Sequence, residues 1–144
     1  MLAFVSACAP TSAEGQNWPS TIEVAATTRT QVIEGTKVIT AECDYVATDF
    51  AKFDDQAYVY LRLIGPNNSE HFTPGYKVEG NAATARIAVS DPEQCKQLKV
   101  GGLEVLLVNK IVRYSCDEEK QDLYKCYRVV DTQRNAKRGT PERF

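Results

Sequence analysis

The run Leu103-Glu104-Val105-Leu106-Leu107-Val108 places five large aliphatic side chains within six residues. A nearly continuous apolar run of this length is typical of a strand that is buried on both faces. Because β-forming residues continue beyond it, we expect one long central strand from Leu103 to Cys116. The sequence therefore predicts a fold organised around a β-sheet.

A polar turn follows this strand, and two cysteines lie at equal distances from its centre, which predicts a disulfide between them. Residues 117–122 read Asp-Glu-Glu-Lys-Gln-Asp, and the strand pattern resumes from Tyr124 to Asp131. Antiparallel pairing centred on Gln121 sets Cys116 opposite Cys126, where Cβ atoms lie about 4.5–5.5 Å apart, near the spacing of a disulfide. The same register pairs two further positions, Tyr114 with Arg128 and Val112 with Val130. We therefore predict a Cys116–Cys126 disulfide across an antiparallel hairpin.

Alternating apolar and polar residues mark further strands. Every second residue from Ile39 to Tyr45 is apolar, and the same period recurs from Thr84 to Ser90. Turn clusters such as Gly65–Ser69 separate these segments. About seven short strands joined by turns predict an all-β fold. We expect a small antiparallel β-sandwich, for which an immunoglobulin-like arrangement is one option.

One short helix is expected near residues 92–99. Asp91 can cap its N-terminus, Pro92 suits the first helical position, and Glu93 lies at the positive end of the helix dipole. The pair Gly101-Gly102 is a suitable end. The β-rich domain is therefore expected to carry this helix between two of its strands.

The chain has five cysteines. Besides Cys8, an even number remains, which favours two disulfides in an exported protein. With Cys116–Cys126 assigned, Cys43 on its strand would pair with Cys95 on the helix. These four cysteines are scattered along the sequence and lack the closely spaced ligand pairs of a structural zinc site, so we predict no metal and no cofactor. Free thiols in a reducing cytosol are the alternative if the chain is not exported.

Composition is that of an ordinary globular domain. The 144 residues are 43% hydrophobic and 25% charged, with a net charge of −2. So small a charge gives no general attraction for nucleic acid, and we expect no nucleic-acid partner. No apolar run approaches the roughly 20 residues that a membrane-spanning helix needs.

The sequence contains no recognisable catalytic signature. Motifs of serine hydrolases, P-loop proteins and zinc proteases do not occur. His71 is the single histidine and falls in a polar stretch expected to be a loop. The carboxylate pairs Asp54-Asp55 and Glu118-Glu119 fall in expected turns and not across a cleft, as glycosidase chemistry would need. We therefore predict no catalytic residues and no enzyme activity.

The N-terminal segment Val5-Ser6-Ala7-Cys8 ends an apolar run and precedes a polar stretch. It resembles the lipobox of bacterial lipoproteins, whose cysteine is lipidated. The resemblance implies that residues 1–8 are a truncated signal and that Cys8 carries the lipid. With Ala9 after the cysteine, it also implies the outer membrane, facing the periplasm or the surface. No Lys or Arg precedes Cys8, although a complete signal has a basic start, and an ordinary apolar N-terminus whose cysteine packs or pairs is the alternative.

These features divide the chain into four expected parts. Residues 1–8 are the signal, 9–20 a flexible tether, 21–131 the β-sandwich domain and 132–144 a basic, disordered tail. The predicted function is that of a cell-envelope lipoprotein, a non-catalytic structural or protein-binding module. Its partners would be envelope proteins, such as those of a larger membrane complex, and it would meet the membrane through the lipid on Cys8. The alternative is a secreted or anchored inhibitor of a hydrolase, either a lysozyme or a protease.

Overall fold

A computed structural model describes residues 18–33, 38–50 and 56–133 of the chain. This part contains nine strands, one helix and a 3-10 turn at Pro66–Asn68. The strands are β1 (Thr21–Ile33), β2 (Val38–Thr48), β3 (Tyr58–Ile64), β4 (Glu70–Phe72), β5 (Tyr76–Lys77), β6 (Ala83–Val89), β7 (Lys99–Leu106), β8 (Lys110–Lys120) and β9 (Leu123–Gln133), and the helix is α1 (Glu93–Gln97).

The nine described strands form one antiparallel sheet, which confirms the all-β prediction. Their order is β4-β3-β7-β8-β9-β1-β2-β6, and β5 also pairs with β3. The helix expected near residues 92–99 is present as α1, but its expected end at Gly101-Gly102 is wrong, because α1 ends before Leu98 and both glycines lie in β7. The layers of the sandwich come from one sheet that curls on itself, and not from the two separate sheets of an immunoglobulin domain.

Side chains on the inner face of the curled sheet form the main core. Ile22 and Tyr45 on one side pack in the same cluster as Val59, Leu61 and Val105 on the other, and each is no more than 2% exposed. These residues occupy alternate positions along their strands, because successive side chains of a strand point to opposite faces. The period-two pattern in the sequence is therefore the pattern of core contacts.

The segment before β1 docks onto this core. Trp18 packs against the main cluster, and the Lys110 Nζ lies 5.9 Å from the centre of its ring, a cation–π distance. The Tyr114 hydroxyl donates a hydrogen bond to the Pro19 carbonyl at 2.6 Å. The described chain is thus held in place from Trp18 onward, within the range expected to be tether.

Both predicted disulfides are confirmed. Cys43 is bonded to Cys95, and Cys116 is bonded to Cys126. The second bond joins directly opposed residues of β8 and β9. The predicted register is therefore correct at the disulfide.

Further along the same hairpin, the predicted register is correct at one pair and wrong at the next. Tyr114 lies opposite Arg128, as expected, whereas Val112 lies opposite Asp131 and not Val130. The register shifts between Arg113 and Tyr114. Such a bulge adds one residue to one strand and moves all later pairs by one position.

The expected single strand from Leu103 to Cys116 is wrong, because the apolar run contains a turn. β7 ends at Leu106 and β8 begins at Lys110, and the Leu107 N–H donates to the Lys110 carbonyl at 2.8 Å. Leu107 is buried, whereas Val108 at the tip is 63% exposed. Because apolar residues lie on both sides of this tight turn, the hydropathy pattern does not show it, and Asn109 is the one residue there that is typical of turns.

Several predicted segments lie outside the described residues. They include the signal at 1–8, the tether as far as residue 17 and the tail from residue 134. At its C-terminal end β9 extends to Gln133, two residues beyond the expected limit of the domain.

Candidate binding cleft

The two ends of the sheet approach one another without forming a continuous strand ladder in the described chain. β6 is the last strand at one end, and β4 and β5 lie along β3 at the other. The Tyr76 hydroxyl of β5 donates to the Arg86 carbonyl of β6 at 3.2 Å. Beside this contact a cleft of about 610 Å³ opens between the two edges, within the roughly 300–1,000 Å³ typical of ligand pockets.

Apolar side chains line much of this cleft. They come from both edges and from the end of α1: Leu63, Phe72, Pro74, Ile87, Val89 and Leu98. Ile87, Val89 and Leu98 also pack against the main core. The cleft floor is therefore part of the folded core and is fixed by the same packing.

The helix α1 forms one wall of the cleft, and a disulfide fixes it there. Five residues are too few for a helix to be stable by itself in water. Cys95 of α1 is bonded to Cys43, which is only 1% exposed on β2. The Gln94 side chain accepts hydrogen bonds from the N–H groups of Ser90 and Asp91, each at 3.1 Å. These bonds tie α1 to the end of β6.

The opposite wall is fixed by a threonine and a glycine between β4 and β5. The Thr73 Oγ1 accepts the Leu61 N–H at 2.9 Å, and the Thr73 N–H donates to the Leu61 carbonyl at 3.0 Å. Gly75 lies against the Tyr60 ring, where an added Cβ would come within 2.8 Å of Cζ. A larger residue at Gly75 would displace the ring or the wall, so the close approach requires glycine.

Arg86 is among the residues that line the cleft, and its charge is paired with that of Asp44 on the neighbouring strand. Arg86 donates from Nε and Nη2 to the two carboxylate oxygens of Asp44, at 2.8 and 3.0 Å. Asp44 is buried at 7% exposure. The hydrogen bonds from Arg86 lower the pKa of the Asp44 carboxyl, with the charges of Arg86 and Arg29 acting in the same direction and burial opposing them. The pair holds the Arg86 side chain in place and leaves no unbalanced charge.

His71 lies on β4, opposite Leu63, and not in the expected loop. It lines the cleft, and its partner is Ser69. The Ser69 Oγ is 3.3 Å from His71 Nε2, which places a hydroxyl beside an imidazole. However, the same hydroxyl donates to the Pro66 carbonyl at 2.9 Å, and both residues are exposed. A nucleophilic serine needs its proton directed to the base and a third group that orients the base. The Ser69 hydroxyl is instead used to cap the turn at residues 66–68.

Among the described residues, the acidic pair Glu118-Glu119 does not face a second carboxylate pair across a cleft. Asp54 and Asp55 lie outside the described residues. Glu118 and Glu119 lie on β8 and not in the expected turn, and Glu118 pairs with Lys99 at 3.0 Å. Within residues 18–33, 38–50 and 56–133, no three His, Cys, Asp or Glu side chains are placed to hold a metal ion. The same part of the chain has no helix that is long and apolar enough to cross a bilayer. Cys8, the predicted lipid site, is not among the described residues.

Apart from His71, the residues of the cleft were not singled out from the sequence. Ile87 and Val89 have the alternation of ordinary inward-facing strand residues. The pair Cys43 and Cys95 was the available signal, since a disulfide that holds a five-residue helix against a strand marks a place where two elements must stay together.

The chain matches no known protein family, no curated protein and no solved structure.

Proposed function

We propose that this protein is a lipid-anchored cell-envelope protein that binds another protein in the cleft between β6 and the β4–β5 edge, without catalysis. The observation that carries the proposal is the cleft itself. It is apolar, it has hydrogen-bonding groups on its rim, and both of its walls are held rigidly, one by the Cys43–Cys95 disulfide and the other by Thr73. A preformed apolar cleft with a polar rim suits recognition, because little ordering is needed on binding.

Two further observations support the envelope part of the proposal. Disulfides persist in oxidising compartments such as the periplasm and are rare in the cytosol. The chain forms two of them, and the segment Val5-Ser6-Ala7-Cys8 resembles a lipobox. Export followed by lipidation of Cys8 would place the folded domain at a membrane surface, where partners are envelope proteins.

The anchor is tested by mass and by location. The mature protein, extracted from the membranes of its source cells and kept unreduced, should show cleavage before Cys8, an added lipid and two disulfides in its intact mass. The Cys8→Ser variant should release the folded domain into the soluble fraction. A native protein that retains residues 1–7 and is soluble would contradict lipid anchoring.

The cleft is tested by filling it. Gln97 is exposed and lines the cleft, so Gln97→Trp should occupy the space without disturbing the core. Lys96→Trp is the matched control, since that neighbouring side chain is 70% exposed and lies outside the lining. Proteins that copurify with the wild-type chain from solubilised membranes should be lost with Gln97→Trp and retained with Lys96→Trp. Equal recovery with both variants would place the partner elsewhere and refute this site.

The alternative function, inhibition of a hydrolase, would use the segment from Gly65 to Tyr76 as a plug. That segment pairs with β3 through β4 and β5, so it forms an edge of the sheet and the wall of the cleft. Stoichiometric inhibition of a lysozyme or a protease by the purified domain would favour the inhibitor over the envelope module.

A further inference from the structure

The backbone of β6 presents one set of hydrogen-bonding groups to the cleft. In an antiparallel strand the N–H and C=O groups of alternate residues point to opposite edges. The Arg86 carbonyl accepts from Tyr76, and the Ser90 N–H donates to Gln94, so the groups of both residues point away from β2. Ala88 lies midway between them and must point the same way.

Side chains cap this edge on each side of Ala88. Tyr76 satisfies the Arg86 carbonyl, and Gln94 satisfies the Ser90 N–H. Among the described residues, no second strand pairs with β6 on this side. The N–H and C=O groups of Ala88 are therefore presented in the cleft lining between the two caps, on an edge that could accept a further strand.

The space beside Ala88 fits a short extended segment. The four-residue interval from Arg86 to Ser90 spans about 13 Å at roughly 3.3 Å per residue. Side chains on one face of a strand laid there would enter the apolar floor formed by Ile87, Leu63 and Leu98. The floor thus offers apolar contacts to alternate side chains, and the Ala88 backbone offers main-chain bonds.

We propose that the cleft takes an extended peptide segment of the protein partner, which adds to β6 as a strand and bonds to the backbone of Ala88. This inference rests on the proposed function and specifies how the partner is held. Strand addition is an established mode of peptide recognition, in which main-chain bonds supply affinity and side-chain pockets supply specificity. Here the segment would carry Leu, Ile or Val at alternate positions.

The absence of carboxylates from the described lining restricts the segment further. Arg86 is already paired with Asp44, and no Asp or Glu is among the described lining residues. A Lys or Arg that entered the cleft would therefore find no carboxylate to pair with. The partner segment should be uncharged at the residues that enter.

The first test measures how peptides that bind the protein respond to loss of the Ala88 N–H donor. A displayed library of random seven-residue peptides is selected on the wild-type protein, and the affinity of selected peptides is measured for Ala88→Pro and Ala88→Ser. Proline is tolerated on a strand edge whose N–H is not used by a neighbouring strand. It removes the Ala88 donor and blocks the edge, whereas serine keeps the donor. Binding should weaken at least about tenfold with proline and stay within about twofold with serine.

The second test leaves the protein unchanged, so it holds even if Ala88→Pro fails to fold. Each amide of a selected peptide is methylated in turn. A strand bonded to Ala88 should lose affinity when the one amide that donates to the Ala88 carbonyl is methylated, whereas the amides directly before and after it face away from the edge and should tolerate methylation. Uniform tolerance of methylation, or equal sensitivity at adjacent amides, would overturn strand addition.

The outcomes separate this inference from the proposed function. If Gln97→Trp abolishes copurification but peptide binding ignores both Ala88→Pro and amide methylation, a partner binds in the cleft and strand addition is wrong. If the library yields no peptide and dodecanoate binds in the cleft instead, the occupant is an acyl chain and strand addition is again wrong. If Gln97→Trp changes nothing in membranes, the proposed site is wrong as well.

Discussion

Replacing Tyr45 with phenylalanine should stabilise the protein, because its hydroxyl is buried without a hydrogen bond. The ring is 1% exposed in the main core, and the hydroxyl has no hydrogen-bond partner. The void that borders it has no room for a water molecule. Burial also raises the pKa of this phenol, with Tyr124 and Asp122 adding to the effect. The hydroxyl therefore remains a neutral, unsatisfied donor in an apolar setting.

The expected magnitude follows from two opposing terms. Burying a hydroxyl without a partner costs about 1–3 kcal/mol on mutational scales. Removing the oxygen enlarges the void by about 10 Å³, which costs about 0.2 kcal/mol at roughly 24 cal/mol per Å³. Tyr45→Phe should therefore raise the free energy of unfolding by about 1 kcal/mol or more. With a urea slope of about 1–3 kcal/mol per M, the midpoint should rise by about 0.3–1 M.

Tyr114→Phe is the matched control with the opposite expected sign. Tyr114 is also buried, at 3% exposure, but its hydroxyl donates to the Pro19 carbonyl at 2.6 Å. Loss of this bond should lower the free energy of unfolding by about 0.5–1.5 kcal/mol. Both variants are measured by urea unfolding followed by circular dichroism, with the disulfides intact. If Tyr45→Phe proves as destabilising as Tyr114→Phe, the Tyr45 hydroxyl has a partner and the reasoning is wrong.

Three further predictions concern charge and the disulfides. In the folded protein the pKa of Asp44 is lower than its usual value of 3.8, so the ionised carboxylate stabilises the fold at pH values above 3.8. This stability is lost as the pH falls through the lower folded pKa. Asp44→Asn should therefore reduce the loss of stability at low pH, as measured by urea midpoints from pH 6 to 2. Burial, with Glu118 and Asp122 nearby, raises the pKa of Tyr124 from 10.0 to about 12. The folded state then keeps a proton that the unfolded chain loses, so stability should fall between those pH values, and less steeply in Tyr124→Phe; an unchanged slope would contradict this. Loop-closure entropy for sequence separations of 52 and 10 gives about 4 kcal/mol for Cys43–Cys95 and about 2.7 kcal/mol for Cys116–Cys126. Replacing the first pair by alanine should thus cost more than replacing the second, and the reverse order in urea unfolding would contradict the loop argument.

Local reasoning from the sequence succeeded where neighbours in the chain are neighbours in space. Predicting the Cys116–Cys126 bond needed only antiparallel pairing centred on Gln121, within six consecutive polar residues. The strands close at Lys120 and Leu123, and an irregularity between Glu118 and Lys120 brings Cys116 opposite Cys126. The second bond followed because two cysteines remained in the strand-rich part of the chain. The all-β class followed from alternation, which each strand displays independently of its neighbours.

The same reasoning failed where local signals were missing. The turn at Val108 lies inside an apolar run, so hydropathy joined β7 and β8 into one strand. The bulge between Arg113 and Tyr114 leaves no mark in composition, because both residues are acceptable in a regular strand. The register set by symmetry therefore holds from Glu118 to Tyr114 and fails beyond the irregularity on either side of that stretch.

The cleft could not be predicted, because it depends on which strands end the sheet. The segment from Thr84 to Ser90 alternates in the same way whether it has one neighbouring strand or two, since alternation reports the faces of a strand and not its edges. Natural proteins often protect an exposed edge with charged residues, proline or shortness. β6 has seven residues and no proline, and its one charged side chain, Arg86, is bonded to Asp44. Tyr76 caps the Arg86 carbonyl in the middle of β6, Gln94 caps the Ser90 N–H just beyond its end, and Ala88 between them carries no such protection. An edge with two capped positions and an open one between them is what strand addition at Ala88 requires.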